Sequence, residues 1–266
     1  MTLPLLHGLW TPITILLFVL AARPRRSPFG DVALAARTGL ATRGGRIVLV
    51  VIGLGLVLNM LDCAYVEPWL APRLGYEPTR WVRALEGDLV ERVQAHLPGW
   101  SHGPLTWFYL SGYVAGLIAP AVVWTVTRDR RAMTALFLAY AANYVLAAPF
   151  YLFFPVVEVG WSAHSDALPL LDAIWPGLSG ESRIASGLDN CFPSLHVSMT
   201  TSVLWLAWHH GPPGLHRLAW VVAVGTAFTV VALGVHWVLD VASGVPFGIL
   251  CGALGARLAR FATAGS

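Results

Sequence analysis

The chain has 266 residues, of which 56% are hydrophobic and 12% are charged, and its formal net charge at pH 7 is +3. A soluble domain of this length carries roughly twice that charged fraction, so the composition excludes an ordinary soluble protein and indicates an integral membrane protein. No basic run is long enough to indicate nucleic-acid binding, so that class of partner is also excluded.

Seven apolar segments are long enough to cross a hydrocarbon core of about 30 Å. In chain order they are 3–22, 47–66, 104–127, 132–157, 192–208, 218–233 and 235–258. The first could instead be a signal peptide, but its leader has no positive charge and arginines follow it directly, which favours a retained span. The sequence therefore predicts an all-α integral membrane protein with six to seven transmembrane helices in a single membrane domain, residues 1–266.

The distribution of arginine predicts the orientation of these spans in the cell membrane. With the N-terminus outside, twelve arginines fall in inside segments and five in outside segments. Because cytoplasmic loops are enriched in basic residues, this orientation is favoured. It places segments 67–103 and 158–191 and a tight turn at Gly234 on the extracytoplasmic side.

The first outer loop contains the stretch TRWVRALEGDLVERVQAHL. Trp81, Leu85, Leu89 and Val93 recur in it at helical spacing, with charged residues between them. This pattern predicts an amphipathic helix lying on the membrane surface. Two roles stay open for it, a gate for lipid entry and a simple cap over the loop.

The stretch LDNCFPSLHVSMTT lies at the outer end of the fifth predicted span. Asp189 or Asn190 can cap a helix there, Pro193 suits the first turn, and Ser194 and His196 follow within that turn. The start of a helix offers unpaired N–H groups and the positive end of the helix dipole, which together favour an anion. The stretch therefore predicts a phosphate site beside His196.

The stretch ALGVHWVLDVASG opens the seventh predicted span. His236 begins that span and Asp240 follows one helical turn deeper, on the same face. A buried carboxylate that accepts from one ring nitrogen leaves the other nitrogen unprotonated and nucleophilic. One histidine could then attack phosphorus while the other protonates the leaving oxygen.

FPSLHVS followed by HWVLDVASG resembles the type 2 phosphatidic acid phosphatase superfamily, whose second motif is PSGH and whose third is SRxxxxxHxxxD. The resemblance covers roughly residues 140–255 and implies a catalytic core of about 132–258. The PSLHV and HxxxDxxxG variants are most similar to the branch that contains inositol phosphorylceramide synthases. By position, the resemblance implies that His236 is the nucleophile, Asp240 its orienting acid, His196 the proton donor and Ser194 a phosphate ligand.

The chain departs from the family at its basic phosphate clamp. The positions where the family has Arg or Lys hold Val230 in the third motif and, in the first motif, either Ala147 and Phe154 or Ala141 and Ala148, depending on the alignment. Phosphoryl transfer depends on charge neutralisation, so other groups must replace this clamp. The candidates are polar residues near the outer face: Arg183, Asn190, Asn143, Tyr144 and Tyr151.

These observations predict a lipid phosphotransferase that moves a phospho-headgroup, with inositol phosphate the leading candidate, between lipids through a phosphohistidine. The alternative is a lipid phosphate phosphatase of the same superfamily, and the second alternative is a non-catalytic lipid-binding or transport protein. Membrane lipids are the expected partners, and no metal or organic cofactor is expected. The spacing of His96, His102 and His164 matches no compact metal-ligand pattern, and a bridge between Cys63 and Cys191 stays open.

Overall fold

The computed structural model describes residues 3–22, 61–174 and 188–263, together with the isolated positions Gly53 and Val57. The longer helices are α1 (Leu3–Ala21), α2 (Pro78–Glu86), α3 (Leu89–Ala95), α4 (Gly99–Val126), α5 (Arg130–Phe153), α6 (Leu195–His210), α7 (Pro213–Ala232) and α8 (Val238–Thr263). Shorter helical turns span Asp62–Val66, Glu67–Leu70, Ala71–Arg73, Val159–Trp161 and Leu170–Ile174. Every named element in these ranges is helical, as the composition predicts.

Four of the helices, α4, α5, α7 and α8, are long and apolar enough to cross a membrane. Helix α6 has 16 residues because Pro193 precedes it and Gly211 and two prolines follow it. Helix α1 coincides with the first predicted span, but its apolar part, Trp10–Ala21, is short. Most of the predicted span 47–66 lies outside the described residues. The described residues thus contain four candidate membrane spans, whereas the predicted count of seven is not confirmed.

Helices α5, α6 and α8 pack against one another along most of their length. Close approach depends on small residues: a Cβ atom at Gly248 of α8 would lie 2.3 Å from the backbone oxygen of Ser198 on α6. A polar chain joins the three helices at this level. The Asn143 amide donates to the Ser202 hydroxyl at 3.0 Å, and that hydroxyl donates to the Gly248 carbonyl at 2.8 Å.

The C-termini of α5 and α7 and the N-termini of α4, α6 and α8 lie together at one end of the bundle, called here the histidine end because His196 and His236 lie there. The described parts of the segments predicted to be extracytoplasmic meet at this end. Helices α2 and α3 lie over it, and we call this pair the cover. Val82 and Val90 of the cover are fully buried in one apolar cluster with Trp237.

The predicted amphipathic helix is two helices, because the chain turns at Gly87 with φ +66°. Burial within the protein falls on Val82 and Val90 instead of the predicted stripe. Three stripe residues remain 42–78% exposed, namely Trp81, Leu85 and Leu89. The cover thus presents one apolar face to the bundle and another outward, and its position at the membrane surface stays a prediction.

The turn between α7 and α8 requires glycine at position 234. Gly234 has φ +74°, its carbonyl accepts from the Gly160 N–H at 2.9 Å, and an added Cβ would lie 2.4 Å from the Leu168 backbone oxygen. Backbone strain of this kind costs on the order of 1–3 kcal/mol, and the contact with Leu168 adds to it.

We therefore expect Gly234→Ala to lower the Tm of the detergent-solubilised protein markedly. Gly75→Ala is the matched control, since Gly75 has φ +70° but open space around it. Its Tm should fall less. Equal shifts in the two variants would show that the contact with Leu168 carries no cost.

Candidate active site

Three of the predicted residues form a continuous chain of contacts at the histidine end. His196 Nδ1 lies 3.1 Å from His236 Nε2, and His236 Nδ1 lies 3.3 Å from Asp240 Oδ2. The same carboxylate oxygen accepts from the Trp237 backbone N–H at 3.0 Å. His236 is 3% exposed and Asp240 is fully buried, whereas His196 is partly exposed.

These contacts define which ring nitrogens carry protons. The Asp240 carboxylate can only accept, so the Nδ1 of a neutral His236 carries the hydrogen and its Nε2 carries a lone pair. That lone pair accepts from His196, whose Nδ1 must then be the N–H donor. His236 therefore presents a lone pair, as a nucleophile must, and His196 presents an N–H group towards the same position.

The cap of α6 differs from the predicted one. Ser194 is the N-cap, its Oγ accepts from the Val197 N–H at 3.3 Å, and the helix begins at Leu195, after Pro193. The predicted cap Asn190 lies too far upstream because its segment pairs with Val156 in an isolated parallel β-bridge. Ser194 is fully buried.

The starts of α6 and α8 are also joined through the backbone. The Ser194 N–H donates to the Asp240 carbonyl at 3.2 Å. This bond runs directly between the PSLH and HWVLD stretches, which are distant in sequence. It holds the two histidine-bearing helix starts in register.

Two tyrosines that the sequence analysis missed pack against the His196 ring. The ring centroids of Tyr109 and Tyr113, both on α4, lie 5.1 and 4.9 Å from that of His196. They are four residues apart, so they share one face of the helix. This spacing on a predicted span was the available signal, but only the fold shows that α4 faces α6.

The predicted phosphate-binding residues are not brought together. The Tyr151 hydroxyl donates to the Pro193 carbonyl at 3.0 Å, so it supports the PSLH segment from α5. Asn143 is fully buried and its amide nitrogen serves helix packing, while Tyr144 is partly buried on the same helix. Asn190 is partly buried just before Cys191, and Arg183 lies outside the described residues.

The positions that lack the family's basic residues are apolar for a structural reason. Val230 is fully buried in a cluster with Leu170, Leu171 and Val197. Its carbonyl accepts from the N–H groups of Val235 and His236, so the backbone at this position shapes the turn that carries His236. Ala147 is likewise fully buried.

The described arginines near the histidine end contact acidic or aromatic side chains away from His196 and His236. Arg80 pairs with Glu77, Arg83 with Glu91 and Arg92 with Asp88, and Arg73 lies over the Trp69 ring. Within the described ranges, no arginine has a recorded contact with His196 or His236.

Cys191 is a free, buried thiol, so no disulfide joins it to Cys63. Its Sγ, a ring nitrogen of His236 and a carboxylate oxygen of Asp240 lie within 4.8 Å of one another. This set could in principle hold a thiophilic divalent ion. The histidines considered from sequence lie elsewhere: His164 pairs with Glu77, and the His96 Nδ1 contacts the Arg92 carbonyl.

An apolar groove opens beside the PSLH segment, where α5 ends. Its volume is about 500 Å³. Its lining is formed by Pro149, Phe150, Phe153, Phe154 and Phe192. Such a surface suits hydrocarbon chains and offers almost nothing to a charged group.

Comparisons with known proteins agree with this architecture. The solved structure of LpxE from Aquifex aeolicus is similar to 65% of this chain and 95% of that chain, with a TM-score of 0.52 and 22% sequence identity, which supports the fold. No curated protein matches the sequence significantly. Neither comparison points to the inositol phosphorylceramide synthase branch. A sequence profile of the PAP2 superfamily matches residues 78–254, from the first residue of α2 into α8, and the chain therefore belongs to the PAP2 superfamily.

Proposed function

We propose that the protein is a membrane-embedded lipid phosphate phosphatase that works through a phosphohistidine at His236. The observation that carries the proposal is the chain from His196 through His236 to Asp240, with a lone pair on one imidazole and a proton on the other. Membership of the PAP2 superfamily favours hydrolysis over the transfer reaction that the sequence alone favoured.

In the first step, His236 Nε2 attacks phosphorus and the bond between phosphorus and the lipid oxygen breaks. When the substrate binds, His196 carries a proton on both ring nitrogens; the departing oxygen takes one of them and leaves as the lipid alcohol, and His196 becomes a neutral imidazole. In the second step, water gives a proton to His196 and attacks the phosphohistidine, the P–N bond breaks, and inorganic phosphate leaves. Asp240 stabilises the positive charge that His236 acquires when it is bonded to phosphorus.

The two imidazoles must separate before this reaction can start. At 3.1 Å, His196 Nδ1 occupies the place from which phosphorus would approach His236 Nε2. The bond therefore holds the correct tautomers in the resting site, and the substrate must replace it. Because the His196 ring lies against Tyr109 and Tyr113, these two side chains limit where the displaced ring can move.

The lipid nature of the substrate follows from the surroundings of the site. The groove lined by phenylalanines lies beside the PSLH segment and is apolar enough for an acyl or isoprenoid chain. The first turn of α6 offers backbone N–H groups that the helix itself does not use, and these can bind phosphate oxygens. Ser194 and Arg183 remain the proposed side-chain phosphate ligands, and the site is proposed to face the extracytoplasmic side.

Hydrolysis in ¹⁸O-labelled water tests the proposal. The purified protein is incubated in mixed micelles with a lipid phosphate monoester, and the products are analysed by mass spectrometry. We expect one ¹⁸O atom in the released phosphate and none in the lipid alcohol, because cleavage occurs between phosphorus and oxygen. Release of no phosphate under any condition would contradict the proposal.

The same experiment separates the two alternatives. A transferase would deliver the phosphoryl group or phospho-headgroup to an added lipid or polyol acceptor, and turnover would depend on that acceptor. A non-catalytic lipid-binding protein would retain the lipid and change neither its phosphate nor its headgroup.

We also expect excess EDTA to leave phosphate release unchanged. A metal on Cys191, His236 and Asp240 would compete for the groups that the proposed reaction needs, so it would block the site. Phosphate release is measured before and after chelation, with added zinc as the comparison. Strong inhibition by EDTA that is reversed by a divalent ion would show that the reaction uses a metal.

A further inference from the structure

A carboxylate from the cover binds the start of the helix that carries Asp240. Glu86, the last residue of α2, accepts from the Val238 N–H through Oε1 at 3.0 Å and from the Leu239 N–H through Oε2 at 2.9 Å. These are the first two residues of α8, and the N–H groups of a first helical turn have no partner within the helix. Glu86 therefore caps α8 from a position about 150 residues earlier in the chain.

A second cover side chain binds the other side of the catalytic turn. The Gln94 amide nitrogen donates to the Leu168 carbonyl at 2.8 Å and to the Ala232 carbonyl, the last residue of α7, at 3.2 Å. The Gln94 amide oxygen accepts from the Leu168 N–H at 2.8 Å. Gln94 thus binds the backbone just before the turn that carries His236, and Glu86 binds the backbone just after it.

Contacts within the cover and with the bundle fix the positions of Glu86 and Gln94. Arg83 of α2 pairs with Glu91 of α3 at 2.5 Å and donates to the Gly87 carbonyl at the bend between the two helices. Val82 and Val90 anchor the same hairpin in the cluster with Trp237. Because Trp237 directly follows His236, the cover is packed on the catalytic turn itself.

By accepting from the N–H groups of Val238 and Leu239, Glu86 prevents these groups from competing with His236 for the Asp240 carboxylate. Asp240 is the third residue of α8, and a carboxylate in a first helical turn readily accepts from nearby backbone N–H groups. Its Oδ2 already accepts from both Trp237 and His236. If the N–H groups of Val238 and Leu239 had no other acceptor, the Asp240 carboxylate could turn towards them and away from His236.

The pKa of Glu86 reflects its position between the cover and the start of α8. Burial raises the pKa of Glu86, the two N–H donors of α8 oppose that rise, and the negative charges of Asp240 and Glu91 add to it. The α8 dipole favours the ionised form of the carboxylate at this position.

We propose that Glu86 is a positioning residue: by capping α8 it keeps the Asp240 carboxylate on His236 and fixes the turn that carries the nucleophile. The effect on turnover rests on the phosphatase function proposed above. The capping of α8 by Glu86 does not depend on that function, so it can be tested separately.

The test compares Glu86→Ala and Glu86→Gln with Asp88→Asn. Asp88 is the matched control: it precedes α3 of the cover, and its ion pair among the described residues is with Arg92, with both side chains at least half exposed. In the first arm, kcat and KM for a micellar lipid phosphate are measured for each variant, with Tm to exclude unfolding. In the second arm, hydrogen exchange of the backbone amides in 233–241 is followed by mass spectrometry without substrate.

We expect Glu86→Ala to lower kcat about 10- to 100-fold with KM little changed, since small displacements of reacting groups have effects of that size. Glu86→Gln keeps one acceptor oxygen, so its loss should be smaller. Exchange in 233–241 should rise in the same order, and Asp88→Asn should match the wild type in both arms.

Unchanged exchange in 233–241 in both Glu86 variants would overturn the proposal. So would faster exchange with an unaltered kcat, or a fall in activity that merely follows the loss of folded protein. A wild-type protein that hydrolyses no lipid phosphate would refute the phosphatase function instead, and the exchange arm would still decide whether Glu86 fixes the turn.

Discussion

Replacing His236 with alanine is expected to abolish phosphate release, by at least about four orders of magnitude in kcat. The reason is that the His236 ring nitrogen that faces His196 is the proposed nucleophile, and the Asp240 carboxylate contacts the other nitrogen of the same ring. The variant should also accumulate no covalent phosphate. Base-quenched samples with a ³²P-labelled lipid measure this directly, because the P–N bond survives alkali and breaks in acid.

His209→Ala serves as the control for this variant, since His209 is exposed and packs on Trp205 at the opposite end of the bundle. It should keep wild-type turnover and wild-type labelling. If the His236 variant retained labelling, the nucleophile would be another residue, and His196 would be the next candidate. If it retained turnover without labelling, water would attack the lipid phosphate directly.

The resting site explains how a reactive imidazole can persist in a membrane protein. The N–H of His196 covers the lone pair of His236, Tyr109 and Tyr113 flank His196, and the cover closes the turn from above. These contacts hold both rings in place before a substrate binds, and the proposed reaction requires a phosphate to replace the bond between the imidazoles. Catalysis by preorganised groups in a shielded site is stronger than in water.

The sequence singled out the three candidate residues that lie in contact, whose catalytic roles stay predictions, better than the residues packed around them. His196, His236 and Asp240 could be found because their spacing places each at the start of an apolar helix, and because two of them lie on one helical face. The sequence also showed that Val230 stands where the family's third motif has arginine. The reason for Val230 was not visible, because it depends on Leu170 and Leu171, which pack over that position from a short helix distant in sequence.

The fold was predicted in outline for the same reason. Long apolar runs determine helices almost alone, so α4, α5, α7 and α8 appear close to their predicted bounds. The cover was harder, because helical periodicity alone could not locate the break at Gly87 or show which apolar face is buried. Val82 and Val90 are buried because Trp237 lies beneath them, and a contact between residues about 150 positions apart leaves no local signal.

Asp240→Asn is expected to lower kcat by several orders of magnitude while the fold is kept. If the amide nitrogen faces His236, it donates to Nδ1 and forces the ring proton onto Nε2, the attacking atom. If the amide oxygen faces His236, the tautomer is kept, but the negative charge that stabilises the phosphorylated ring is lost. Orienting acids in other hydrolases show losses of about 10⁴-fold on the same change.

The thermal stability of the Asp240→Asn variant should not fall with its kcat. The Asp240 carboxylate is fully buried, and its Oδ1 has no hydrogen-bond partner among the described residues, so its charge is costly to the folded state. The Tm of the asparagine variant should therefore equal or exceed that of the wild type, and ¹⁵N resonances of the His236 ring will report which nitrogen carries the proton. A near-normal kcat would remove Asp240 from the mechanism, and a large fall in Tm would show that the carboxylate serves the fold. Lost turnover in a protein of undiminished stability is the combination expected of a group retained for chemistry.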